Sequence, residues 1–145
     1  MGLPTSPPYL SLRNKNNKAS LFMKGVSFAS AGAGILNSTM LYGPQLGQLI
    51  SLTKQVDQYE IVHQELVKEL GSSAAQEQEQ YFSKSIFNLV IGTTDFANYD
   101  LLPDLQIKYT KEQYASLMSS SLKRQLKVTK NLSPVYHQFL VNDRG

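Results

Sequence analysis

Two apolar runs of this chain end in loops of small residues, GVSFASAGAG from Gly25 and IFNLVIGTTDF from Ile86. An apolar β-type run that stops at Gly, Ala, Ser or Thr leaves backbone N–H groups at the carboxyl edge of a parallel sheet, where open α/β folds bind ligands. Chemistry is therefore expected at those two loops. Side chains for covalent work are scarce. There is no cysteine, hence no thiolate nucleophile or Cys-based metal site, and the two histidines, His63 and His137, lie far apart with no Asp three residues before either. No Gly-x-Ser-x-Gly elbow occurs. Gly32-Ala33-Gly34 lacks the third glycine of a dinucleotide cradle, and no Gly-Lys-Ser/Thr follows. No cofactor and no metal are expected.

The elements that would carry these loops follow from composition and periodicity. At 145 residues, with 41% hydrophobic and 17% charged residues, the chain suits one globular domain over 1–145. A net charge of +3, scattered rather than striped, argues against nucleic acid as a partner. No apolar run approaches the roughly 18 residues of a transmembrane segment. MGLPTSPPYL lacks the charged segment and apolar core of a signal peptide, so the chain as written is expected in the cytoplasm. Residues 1–20, rich in Pro, Ser, Asn and Lys, suggest an extended surface segment anchored by Tyr9 and Leu10. Met23–Ala29 and Ile86–Ile91 are predicted strands, with a last short strand at Phe139–Val141. Apolar residues spaced by three and four from Leu46 to Leu70 predict an amphipathic helix over Gln45–Leu70, closed by Gly71. A polar surface helix is predicted over Ser73–Lys84. Thr110 and Gln113 match a capping box, and Tyr114, Leu117, Met118, Leu122 and Leu126 mark the helix after it. Strands alternating with helices imply an α/β architecture with right-handed crossovers and a parallel sheet.

Three segments in this order resemble the middle of a plant GDSL esterase/lipase, a branch of the SGNH hydrolases. GLPTSPPYLS is similar to that family's GLPLPPPYL, FMKGVSFASAGAGIL to FLRGVNFASGGAGIL, and FNLVIGTTDFANYDL to the IGTNDF block with its following Asn and Tyr. The resemblance covers roughly residues 3–126 and leaves 126–145 as a divergent tail. It implies a partial SGNH-hydrolase fold, a flavodoxin-like three-layer parallel sheet missing its first central strand and its C-terminal part. A strand edge so exposed would make the isolated chain prone to aggregate.

Family chemistry needs a Ser nucleophile in Gly-Asp-Ser-Leu, a Gly and an Asn that donate hydrogen bonds to the tetrahedral oxyanion, and an Asp-x-x-His that activates the serine. This sequence has neither the Ser block nor Asp-x-x-His, so none of the triad is present. His63 and His137 are expected to be surface or helix-flank residues. The resemblance places the oxyanion glycine at Gly32, donating through its backbone N–H, and the second donor at Thr94, which replaces the family Asn. Thr94 is shorter and β-branched, so its hydroxyl is expected to reach the oxyanion poorly. Ser27 replaces the Asn of GVNFAS, and Ala31 replaces the first Gly of a Gly-Gly pair. That exchange matters if the position needs positive φ. Asp95 is expected to brace the loop rather than do chemistry.

By resemblance the function is hydrolysis of a small ester or lipid, this chain being a truncated form with little or no activity. The alternative is a catalytically dead remnant, or a non-enzymatic interaction module. Relatives of this kind are secreted, and Asn37-Ser-Thr and Asn131-Leu-Ser are glycosylation acceptors only in that pathway.

Overall fold

The structure is a computed structural model that describes residues 4–42, 49–71 and 75–132. Seven α-helices form among them: α1 Tyr9–Leu12, α2 Lys18–Phe22, α3 Leu52–Leu70, α4 Ala75–Ser83, α5 Thr93–Leu101, α6 Pro103–Lys108 and α7 Lys111–Leu132, with a 3₁₀ turn at Asn37–Tyr42. Among the described residues there is no strand. The expected α/β class and three-layer parallel sheet are therefore overturned.

The reason lies in what flanks the two apolar runs. The expected strand Met23–Ala29 reduces to one parallel bridge, in which Tyr9 N–H donates to Ser27 O (2.8 Å) and Ser27 N–H to Pro7 O (2.9 Å). Residues 86–91 join no ladder. A β-type run becomes a strand only where a neighbour in register takes up its alternate backbone groups, and isolated pairs are marginal in water. Here a groove of about 570 Å³ separates the two runs. The expected strand Phe139–Val141 lies outside the described residues, as does most of the divergent tail.

Helix α3 is the spine of the molecule. Its predicted start at Gln45 is corrected: residues 45–48 lie outside the described set, and the helix begins at Leu52 because the Ser51 side chain caps it, accepting from Lys54 N–H at 3.4 Å. A hydroxyl there satisfies one of the donors that the first helical turn leaves unpaired. The end at Leu70, followed by Gly71, is as the sequence implies. Along its buried stripe, Leu52 and Val56 enter a core with Ile35, Leu36, Tyr99, Leu105, Tyr114 and Met118. Val62 and Leu66, further along, close a second core with Tyr9, Leu12, Phe22 and Phe82. Packing against α2 and α7 covers the rest of the stripe.

Helix α7 starts as its sequence predicts. Thr110 N–H donates to Gln113 Oε1 (2.9 Å) and Gln113 N–H to Thr110 Oγ1 (3.2 Å), a reciprocal capping box. Tyr114 and Met118 are buried as expected, whereas Leu117 is 40% exposed because it sits one residue off their face. Helix α4 occupies most of the expected Ser73–Lys84, but it is not wholly a surface element, since Phe82 is buried against His63 with ring centroids 4.7 Å apart. The segment expected to be extended holds two short helices instead. Tyr9 anchors it as expected, while Leu12, not Leu10, is its second buried residue. Tyr9 stacks on Phe22 at 6.2 Å, so helical turns bury its apolar residues better than an extended chain would.

Two outcomes test this packing. Leu66→Ala should cost about 2–4 kcal/mol of unfolding free energy in urea titration, because it empties buried volume between α3 and α1. His63 is held below its ordinary pKa of 6.5, chiefly by burial, with Glu60 opposing. The fold thus prefers the neutral ring, and below about pH 6.5 the unfolded chain takes up that proton first, so stability falls as pH drops through this window. His63→Gln should flatten this part of the stability-versus-pH curve relative to the wild type.

Candidate functional site

Everything at the candidate site is arranged by Asp95, whose side chain is wholly buried (0% exposed). It is the third residue of α5, after Thr93 and Thr94, with Gly92 as N-cap. A carboxylate there sits at the positive end of the helix dipole. Its oxygens face the loop after Gly32: Ile35 N–H donates to Oδ2 at 2.8 Å, Leu36 N–H to Oδ1 at 3.1 Å, and the buried Thr39 hydroxyl also to Oδ1. Hydrogen bonding on this scale is what makes a buried carboxylate tolerable. The expected bracing role of Asp95 is what the structure shows.

Two further ties tighten the same junction. Asn98 Nδ2, one turn along α5, donates to Thr39 O at 3.1 Å, and Leu52 N–H donates to Gly34 O at 3.1 Å, so the loop is pinned to both α5 and the start of α3. Gly34 is where backbone and carboxylate approach most closely. A Cβ on it would lie 2.6 Å from Thr39 Cβ and Cγ2 and 2.8 Å from Asp95 Oδ1. Only glycine leaves room for this contact.

Gly32 lies two residues before this contact, part-exposed, with φ of +72°. The left-handed conformation falls on Gly32 and not on Ala31, since no described non-glycine residue has positive φ. Replacing glycine by Ala31 therefore carries no backbone strain. Ala33 N–H donates to Ser30 O at 3.1 Å and closes the turn that presents Gly32 at the surface. Thr94 is the second residue of α5, part-buried, next to the carboxylate that holds the loop. Asp95 thus joins the two elements carrying Gly32 and Thr94.

The other residues singled out by sequence stand apart. His63 lies in the second core between Tyr59 and Phe82, and no described serine hydrogen-bonds to it. His137 is outside the described residues. Ser27 uses its backbone in the bridge to Pro7 and Tyr9. Among the described residues no three His, Asp or Glu side chains cluster to hold a metal. At the junction Asp95 brings the Gly32 turn against Thr94 and the start of α5, and among the described residues no histidine lies beside them. Sequence reading missed Thr39 and Asn98. Thr39 lies just past the first block, in Asn37-Ser-Thr, and Asn98 is the Asn that follows the IGTTDF block, so neither carried a signal of its part in this junction.

Comparison with known proteins gives a consistent direction. The chain is 44% identical over 129 residues to a GDSL esterase/lipase of Arabidopsis thaliana, covering 87% of this chain and 32% of that relative. It is 33% identical over 135 residues to GDSL esterase/lipase 7 of the same plant, covering 91% of this chain and 35% of the relative. A further Arabidopsis GDSL esterase/lipase is 30% identical over 128 residues. The chain spans about a third of the length of these curated relatives. No family model and no solved structure matches it.

Asp95→Asn should destabilise by about 2–4 kcal/mol, because its amide turns an NH₂ toward donors that need acceptors. Amide exchange at Ile35 and Leu36 should accelerate in the same variant. Gly34→Ala should cost about 1–3 kcal/mol by overpacking, and the double variant should lose less than the sum, since both act on one contact.

Proposed function

We propose, for a chain related along most of its length to plant GDSL esterase/lipases, that it is the oxyanion-binding segment of an ester hydrolase. On this reading the Gly32 N–H and the Thr94 hydroxyl are the donors to the tetrahedral oxyanion of a small ester or lipid. The supporting observation is the Asp95 clamp. It fixes the Gly32 loop against the N-terminus of α5, and a loop immobilised before reaction need not reorganise as charge develops.

In acyl transfer a serine hydroxyl attacks the ester carbonyl as a histidine takes its proton, and the carbonyl electrons move onto the oxygen that the donors stabilise. Collapse of that intermediate expels the alcohol. The described residues provide the donors and no serine–histidine pair, so we read this chain as a truncated form with little or no turnover of its own. Thr94 weakens the donor set further, since loss of one oxyanion donor costs roughly a hundredfold or more in turnover.

Purified chain incubated with p-nitrophenyl acetate and butyrate should release nitrophenol no faster than a buffer blank. Turnover that co-elutes with the chain and disappears in Gly32→Val would overturn the reading of an inactive segment.

A further inference from the structure

Folding gathers part of the chain's positive charge onto one helix. After Glu112, residues 113–132 contain no Asp or Glu, while Lys123, Arg124 and Lys127 all stand exposed on α7. With about 100° of turn per residue, the buried Tyr114, Met118 and Ser121 lie on one side of α7, and Lys123 and Lys127 point almost directly away from it. Arg124 stands on the flank of the same outward face, which continues through the exposed Ser116 and Ser120. Gln125 Nε2 donates to Thr53 Oγ1 at 3.0 Å and holds the inner side against α3, so the cations stay turned outward. Among the described residues none of the three is in an ion pair.

The helix dipole does not account for this cluster. It favours cations in the last turn, whereas Lys123 and Arg124 lie about two turns before the end at Leu132. Lys123 and Lys127, four residues apart, repel one another on the free chain, and an anionic partner removes that repulsion. The neighbours of the cations narrow its chemistry. Leu117 and Val128, 40% and 39% exposed, border Arg124, so apolar side chains flank the charges as they do on helices that lie in a lipid headgroup layer. Three cations are few for a nucleic acid, which is gripped through a longer fixed row of phosphates. Anionic lipids instead move laterally to meet whatever spacing the helix presents.

We propose that the outward face of α7 docks on an anionic lipid surface, with Lys123, Arg124 and Lys127 among the headgroups and Leu117 and Val128 at the edge that dips toward the acyl chains. The helix lies along the surface, since no helix among the described residues is long and apolar enough to cross a membrane. The long stems of the three cations cover the apolar boundary while their charged ends stay in the wet headgroup layer. Each such cation strengthens binding roughly fivefold, and three together roughly a hundredfold. The contact uses no residue of the Gly32–Thr94 junction, so it stands apart from the oxyanion reading.

Vesicles of phosphatidylcholine with phosphatidylserine should carry the purified chain upward in a flotation gradient at about 0.1 M salt and release it at about 1 M, where screening is short-ranged. Aggregated chain stays at the bottom, and vesicles of phosphatidylcholine alone should leave the chain behind. The triple variant Lys123→Gln, Arg124→Gln, Lys127→Gln should bind roughly a hundredfold more weakly. Its urea midpoint should be equal to the wild type's or higher, because a repulsion has been removed. A control, Arg13→Gln with Lys15→Gln and Lys24→Gln, removes the same net charge from exposed positions elsewhere and should float nearly as the wild type does. A wild type that does not float, equal flotation on the two kinds of vesicle, equal loss in the two triple variants, or tighter binding to a DNA duplex than to the anionic vesicles at equal phosphate would each overturn the proposal.

Discussion

A buried carboxylate with three donors holds this molecule's candidate site together. Asp95 joins two segments some sixty positions apart in sequence, binding Ile35 N–H, Leu36 N–H and the Thr39 hydroxyl. A charge in the interior is costly unless its oxygens are hydrogen-bonded, and once they are, few other arrangements of the loop satisfy it. The glycine at 34 follows from this contact, and the same loop is also tied to the start of α3. A side chain on Gly34 would strike Thr39 and Asp95, and the Gly34 carbonyl takes the Leu52 amide. The loop that presents Gly32 is therefore set by an acid that touches no solvent.

Around that clamp the molecule is organised by one helix rather than by a sheet. Helix α3 runs past both cores, packing Leu52 and Val56 beside Tyr114 and Met118 at one end and Val62 and Leu66 beside Tyr9 and Phe22 at the other. Gln125 Nε2 donates to Thr53 Oγ1 at 3.0 Å where α7 crosses α3. These helix contacts close both cores. Ile86 and Val90 stay exposed beside them. In an acyl-transfer site the anion-stabilising donors and the nucleophile are separate physical parts, so a segment can carry the one without the other.

What the residues alone determined is local. Thr110 and Gln113 specify the start of α7 because a capping box needs only neighbours three apart, and the spacing from Leu52 to Leu70 specifies a helix because one apolar stripe must face a core. The helix start was legible only in part, since Ser51 and the leucines before it compete for the same boundary. Three block resemblances marked Gly32, Thr94 and the bracing Asp95, and those residues do lie on elements that meet.

Tertiary structure decided the rest. Val26–Phe28 and Leu89–Ile91 have strand composition, but a strand is a relation between segments, and no described neighbour supplies the second ladder that either run would need. Residues 1–20 are polar enough to suggest an extended surface segment, yet Tyr9 and Leu12, with Phe22 just beyond, gain more by packing on Val62 and Leu66, so the chain coils there. Thr39 and Asn98 became visible only once folding brought the Thr39 hydroxyl to the Asp95 carboxylate and the Thr39 carbonyl to the Asn98 amide. Periodicity and caps act over a few residues and can be read in order, whereas sheet pairing and a buried charge's partners depend on contacts that sequence spacing does not encode.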